Sequence, residues 1–354
     1  LRALLPGYHW MVEISTLIDA PHPYWPISVV PHATWLAALS LMPPMAVFLG
    51  TMMLSQRERT KLAYLVLAIC GFSVFLGLLQ LSQGPNSGLR FFARTNVLDA
   101  VGFFANRNHY AALLYCGTML AAWYVLQTLR SVSDQGLGKV ANSRFVIVLV
   151  AACTLFAIIV VAQAMARSRA GIILSMVALL MVLPMVLADR RNEATATGTL
   201  KIVYAVAAFA VVFSLQFALL RIMERFEADP LQDARIAYAR TTFAAAMSYL
   251  PFGAGTGSFV WVFPQFEKQT DLISAFANRA HNDFVEAALE SGVLAVLLML
   301  VFAVWFVRAG IRVWSTQDQI NSSYLSLMRA AWVIVALLAL HSFVDYPLRT
   351  SAMA

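Results

Sequence analysis

Residues 145–188 read FVIVLVAACTLFAIIVVAQAMA, RSRA, GIILSMVALLMVLPMVLA: apolar blocks of 22 and 18 residues separated only by Arg167, Ser168, Arg169 and Ala170. A block of about 20 uncharged residues spans the hydrocarbon core as a helix, because a helix satisfies its own backbone groups where no water is present. Two such blocks joined by so short a turn predict a hairpin of membrane helices.

The same pattern extends to both sides. Further apolar blocks lie at 33–54, 62–82, 109–128, 202–220, 293–307 and 330–346, giving an expectation of about eight spans. The block at 293–307 is short and can extend back through the amphipathic stretch from Phe284. Over 354 residues, 60% are hydrophobic and 12% charged, against about 25% charged in soluble domains. The fold class is therefore all-α: a polytopic membrane protein, with residues 1–354 as a single integral membrane domain. The first 32 residues read as a loop with no signal-peptide pattern, and a start at Leu1 reads as a chain that begins partway through a longer protein.

A net charge of +7 would point to nucleic acid in a soluble protein. Here the basic residues flank the spans and form no separate patch, so no nucleic-acid partner is expected. They also set an orientation. Arg57, Arg59 and Lys61, then Arg130, Lys139 and Arg144, then Arg190, Arg191 and Lys201, then Arg308, Arg312 and Arg329 mark the denser set of loops, expected in the cytoplasm. The turn at 167–170 and the long segment 221–292 are then expected outside. Cys70, Cys116 and Cys153 lie within apolar blocks without CxxC spacing and read as packing residues.

A segment as long as 221–292 is seldom passive in a compact protein. Residues 231–250 carry a helical pattern, with Ile236, Phe243 and Met247 on an apolar stripe and Arg235 one turn from Tyr238; Pro251 ends that helix. The glycine-rich 253–258 lacks the Lys-Ser/Thr ending and preceding strand of a phosphate loop. A second helix is expected from near Asn282 into the next span.

Several residues are suited to chemistry. His281, at the mouth of a membrane helix, can take a proton from a hydroxyl near neutral pH; Glu286 and Glu290, sharing a helical face, could orient it, while Asn282 equally reads as a helix cap. Arg169 sits between two apolar blocks, where arginine is costly and needs a partner or a function; its planar fork suits phosphate oxygens. Arg167 reads more simply as an arginine that snorkels to headgroups. Arg235 and Arg240 could bind substrate or lipid phosphates. Asn106 and Asn108 offer donors at the start of a span, and Arg279, Asn282 and Asp283 complete the set of possible substrate contacts. His341, Asp345 and Arg349 are spaced to share a helical face, and a structural ion pair is the simpler reading of them. No Asp-x-Asp pair, zinc spacing or Gly-x-Ser-x-Gly elbow occurs, so neither a metal nor a cofactor is expected.

Taken in order, several stretches resemble the O-antigen ligase/polymerase superfamily of bacterial membrane glycosyltransferases. They are Trp25-Pro26-Ile27-Ser28-Val29-Val30-Pro31-His32-Ala33-Thr34, residues 102–111, Ser168-Arg169-Ala170-Gly171, Arg235, residues 250–259, Ala280-His281-Asn282-Asp283-Phe284 with Glu290-Ser291-Gly292, and residues 341–348. The resemblance implies a GT-C-like helical bundle in the bacterial inner membrane with a large periplasmic loop, here 221–292. It implies an undecaprenyl-diphosphate-linked glycan as donor and lipid A–core or a growing glycan as acceptor, with membrane lipids around the bundle. It further implies His281 as catalytic base and Arg169 and Arg235 as diphosphate-binding residues. Family members carry more spans than the eight expected here, in keeping with a missing N-terminal part. Ligase and polymerase share these features. A flippase that binds the same lipid without chemistry, and a purely structural subunit, are the readings from other classes.

Overall fold

A computed structural model of the protein describes residues 8–19, 26–134, 143–188, 231–269, 276–316 and 322–349. Among the described residues there is no strand, and seven helices or helix pairs are long and apolar enough to cross a membrane. The fold is that of an all-α, polytopic membrane protein. The expected span at 202–220 lies outside the described residues.

The N-terminal stretch read as loop contains a helix, α1 (Tyr8–Leu17). The first expected span is two helices, α2 (Pro31–Ser40) and α3 (Met42–Met53), with Leu41 between them. Pro43 and Pro44 cause the break, since proline lacks the amide that would continue the ladder. Next come α4 (Gln56–Gln83), α5 (Arg107–Asp134), α6 (Ser143–Ala166) and α7 (Arg169–Leu187). Ser55 and Glu58 form a reciprocal capping box at the start of α4, and Ser168 caps α7 through the Gly171 amide. After them come α8 (Leu231–Ser248), the short α9 (Phe259–Val262), α10 (Asp283–Ser315) and α11 (Ser322–His341).

Helix α5 is the centre of the bundle, packed against α4, α6, α7 and α11. Its most apolar stretch is 78% buried, against 11% for that of α10, so α5 is enclosed by protein while α10 turns an apolar surface outward. Small residues permit this: Ala111, Ala112, Ala121 and Ala122 are buried on α5, and Gly171 of α7 lies against Ala111 with no room for a side chain. Trp123, Tyr110, Tyr115 and Met119 fill the spaces between. Cys70 and Cys116 are buried and free, as packing residues would be. Arg329, expected in a loop, is 3% exposed within α11 and donates to the carbonyls of Ala188, Val313 and Thr316.

Two features bring the polar residues together at one end of the bundle. Helix α10 kinks at Gly292, whose φ of +58° and ψ of −141° suit glycine alone. The kink frees the carbonyls of Leu289 and Glu290, and the amides of Ala254 and Gly255 fill them, each at 2.8 Å. The glycine-rich stretch at 253–258 is thus used to dock this loop on α10. Helix α11 ends at His341, so His341, Asp345 and Arg349 do not share a helical face. The chain turns back, and a short 3₁₀ turn, Pro347–Arg349, lies against α5 and α11.

Candidate active site

His281 precedes α10, where Asn282 caps the helix by accepting from the amides of Phe284 and Val285. Its backbone is left-handed, with φ +52°, an uncommon state for a residue with a side chain. The imidazole Nδ1 lies 3.2 Å from Oδ1 of Asp345, which is fully buried. Asn108 donates its side-chain amide to the other carboxylate oxygen, Tyr346 donates its backbone amide to Oδ1 at 3.0 Å, and an Arg235 nitrogen stands 3.9 Å from Oδ2. Burial pushes the Asp345 carboxyl up. The hydrogen bond to His281 and the positive charge of Arg235 outweigh it and hold the carboxyl well below the usual carboxylate range. With Nδ1–H donating to the ionised Asp345, a neutral imidazole would keep its free lone pair on Nε2, the tautomer a general base needs. Tyr238 stacks along the ring at 6.3 Å between centroids, and Tyr346 meets it edge-on at 5.0 Å.

His281 forms part of the wall of a groove of about 970 Å³ between α7, α8, the start of α10 and the end of α11. The same groove is lined by the cations Arg169, Arg235 and Arg240. Ile173, Val177, Phe243, Leu340 and Phe343 give it an apolar wall. On α8 the stripe of Ile236, Phe243 and Met247 faces outward, and the buried face carries Tyr238, Thr242, Ala245 and Ala246. Cations beside an exposed apolar wall suit an amphiphile with an anionic head and a hydrocarbon tail.

His281, Arg169 and Arg235, the residues that the resemblance implies for catalysis and diphosphate binding, line this groove together with Arg240, a possible substrate contact. Asn106 uses Oδ1 to accept from the Asn108 backbone amide at 2.8 Å. Arg279 pairs with Glu286 at 2.9 Å, and Asn282 donates to the Phe343 carbonyl at 3.1 Å. Asn108 and Asp283 are 5% and 7% exposed and engaged inside the protein, Asn108 with Asp345 and Asp283 with Ser342, so neither presents its side chain to the groove. Arg167 reaches Asp99 at 3.5 Å, and Asp99 also holds Arg107 at 2.9 Å, where a snorkelling Arg167 was expected.

The contact between Asp345 and His281 is not foreseen in the sequence. Asp345 was grouped with His341 and Arg349 as a structural set, whereas its closest ionisable contact is His281, 64 positions away. An ionisable residue just beyond a span end was the available signal. Tyr346, which walls the imidazole, carried none.

Compared with known proteins, the chain matches no curated protein and no solved structure. Residues 154–300 match the family model described as O-antigen ligase, a match consistent with the O-antigen ligase/polymerase superfamily.

Proposed function

We propose that the protein is an O-antigen ligase-like glycosyltransferase that moves a glycan from undecaprenyl diphosphate to an acceptor hydroxyl, of lipid A–core or of a growing glycan, at the periplasmic face of the inner membrane. The observation that carries this reading is a histidine held by a buried carboxylate on the wall of a groove that also holds Arg169, Arg235 and Arg240. The O-antigen ligase match over 154–300 supports the same chemistry, and it takes in Arg169, Arg235 and His281.

In this mechanism His281 Nε2 takes the proton of the acceptor hydroxyl, and Asp345 stabilises the imidazolium that forms. The acceptor oxygen attacks the anomeric carbon opposite the diphosphate, inverting that centre. Arg169 and Arg235 stabilise charge on the departing diphosphate, which grows as the glycosidic bond breaks. The apolar wall receives the first part of the lipid tail. Each step uses only side chains and the two substrates, in keeping with metal-independent transfer.

The test is a transfer assay in nanodiscs with chelator present, using a defined undecaprenyl-diphosphate glycan. Product on lipid A–core makes the protein a ligase, and lengthened lipid-linked chains make it a polymerase. Binding of the diphosphate lipid without product from either acceptor would favour a lipid-linked glycan flippase. A folded His281→Ala protein that retained full transfer would remove the base from the mechanism.

A further inference from the structure

We infer that Glu286 is a positioning residue of His281, acting on its backbone, and that Arg349 holds Glu286 in place. This role presupposes the glycosyl-transfer chemistry proposed above. Glu286 lies in the first turn of α10 and is fully buried. Its Oε2 accepts the Ala280 backbone amide at 2.8 Å, and its Oε1 accepts an Arg279 guanidinium N–H at 2.9 Å. One carboxylate therefore fixes the two residues that immediately precede His281. On the other side, the Asp283 amide donates to the Ser342 carbonyl at 2.9 Å, and Asn282 donates its side-chain amide to Phe343. The left-handed backbone of His281 is held from both directions, as a backbone in a sparsely populated region must be to persist.

Arg349 closes the arrangement from the C-terminal turn. Its Nη1 lies 3.2 Å from Glu286 Oε1 and 2.8 Å from Glu290 Oε2, and its Nε lies 3.4 Å from Asp283 Oδ1. Three carboxylates from the start of α10 would repel one another in a buried space. A planar guanidinium that contacts all three offsets that repulsion and keeps Glu286 aimed at Ala280. Glu286 and Arg349 do not line the groove. Their effect on chemistry runs through the placement of the imidazole, and a displacement of about 1 Å costs on the order of 100-fold in rate.

Glu286→Gln tests this with little change in volume. Ala280 and Arg279 donate to different carboxylate oxygens, so an amide must turn its NH2 toward one of these donors. The assay follows turnover and the KM for the lipid-linked donor in nanodiscs, together with the melting temperature. The expected result is a fall in turnover of about 10- to 100-fold, with donor KM and fold preserved. Turnover per folded molecule equal to wild type, with only a lower melting temperature, overturns the positioning role. Should Glu286→Gln fail to fold, Arg349→Lys carries the same test. Lysine keeps the charge and loses the fork, so turnover should fall at constant donor KM, and wild-type turnover overturns the role. His281→Ala run in parallel separates the two ideas. If His281→Ala is inactive while Glu286→Gln turns over normally, the positioning role alone falls; if His281→Ala is fully active, both fall.

Discussion

Asp345 Oδ1 stands 3.2 Å from Nδ1 of His281 across 64 positions of sequence, and the carboxylate has no exposed surface. If His281 is the base of the proposed transfer, the pairing leaves Nε2 as the nitrogen that meets the acceptor. Asp345→Asn preserves shape but removes the negative charge that selects the Nδ1–H tautomer. Its amide can present N–H to Nδ1 and leave the proton on Nε2, the wrong nitrogen for a base. We expect turnover to fall by about 10²- to 10⁴-fold, the span that general-base catalysis contributes. Steady-state transfer rates on folded Asp345→Asn protein check this, and a loss under about three-fold would show that the carboxylate is not needed to orient the base.

Arg169 and Arg235 enter the groove from different helices, α7 and α8. If both stabilise charge that grows on the leaving diphosphate, each acts mainly in the transition state. Removing either should cost about 3–4 kcal/mol of barrier, as loss of an oxyanion donor does, or roughly 10²–10³-fold in kcat. Lysine should restore charge without the fork, so Arg169→Lys is expected to fall between wild type and Arg169→Ala. Single-turnover rates with prebound donor isolate the chemical step. An effect confined to donor KM would reassign these residues to uniform binding.

The apolar wall makes a separate prediction about KM. Phe243 is 57% exposed on α8 and lines the groove. A tail lying on it would cover that surface. Phe243→Ala should weaken donor binding by about 1 kcal/mol, roughly five-fold in KM, given the partial burial of one aromatic side chain. Turnover at saturating donor should stay at the wild-type value, since the tail is distant from the reacting centre. Titration of the lipid-linked donor checks this. An unchanged KM would mean that the tail lies elsewhere.

The spans could be read in the sequence because length and apolar content are what a bilayer selects, and α4 to α7 begin and end close to the expected positions. What the spacing did not reveal was direction. The stripe of Ile236, Phe243 and Met247 has helical period, but in a membrane protein an apolar face need not point to the core, and on α8 it points outward while Tyr238 is buried. The set of His341, Asp345 and Arg349 was read on helical geometry, yet α11 stops at His341 and each side chain finds a different partner: Tyr115, His281 and the three carboxylates of α10. Arg329 read as a loop residue and proved to be a buried tie between helix ends. The cations of the groove were legible one by one, since arginine beside apolar blocks is costly. Their convergence with Asp345 depends on contacts between helices that no local period encodes.

Acid stability follows from the same pair. Burial raises the Asp345 carboxyl, but the hydrogen bond to His281 and the positive charge of Arg235 hold it below its ordinary value, which is about 3.9 in an unfolded chain. A carboxyl depressed on folding contributes stability that is fully present above its unfolded value and is lost as pH falls through the folded value. The asparagine variant does not titrate, so it serves as the reference. The gap in melting temperature between wild type and Asp345→Asn should stay open from about pH 8 down to about pH 5 and close only below about pH 4. Thermal unfolding in nanodiscs over that range measures it. A gap that closed between pH 7 and pH 5 would mean that Asp345 takes up a proton there, and with it the claim that an ionised carboxylate steadies His281 under working conditions would fail.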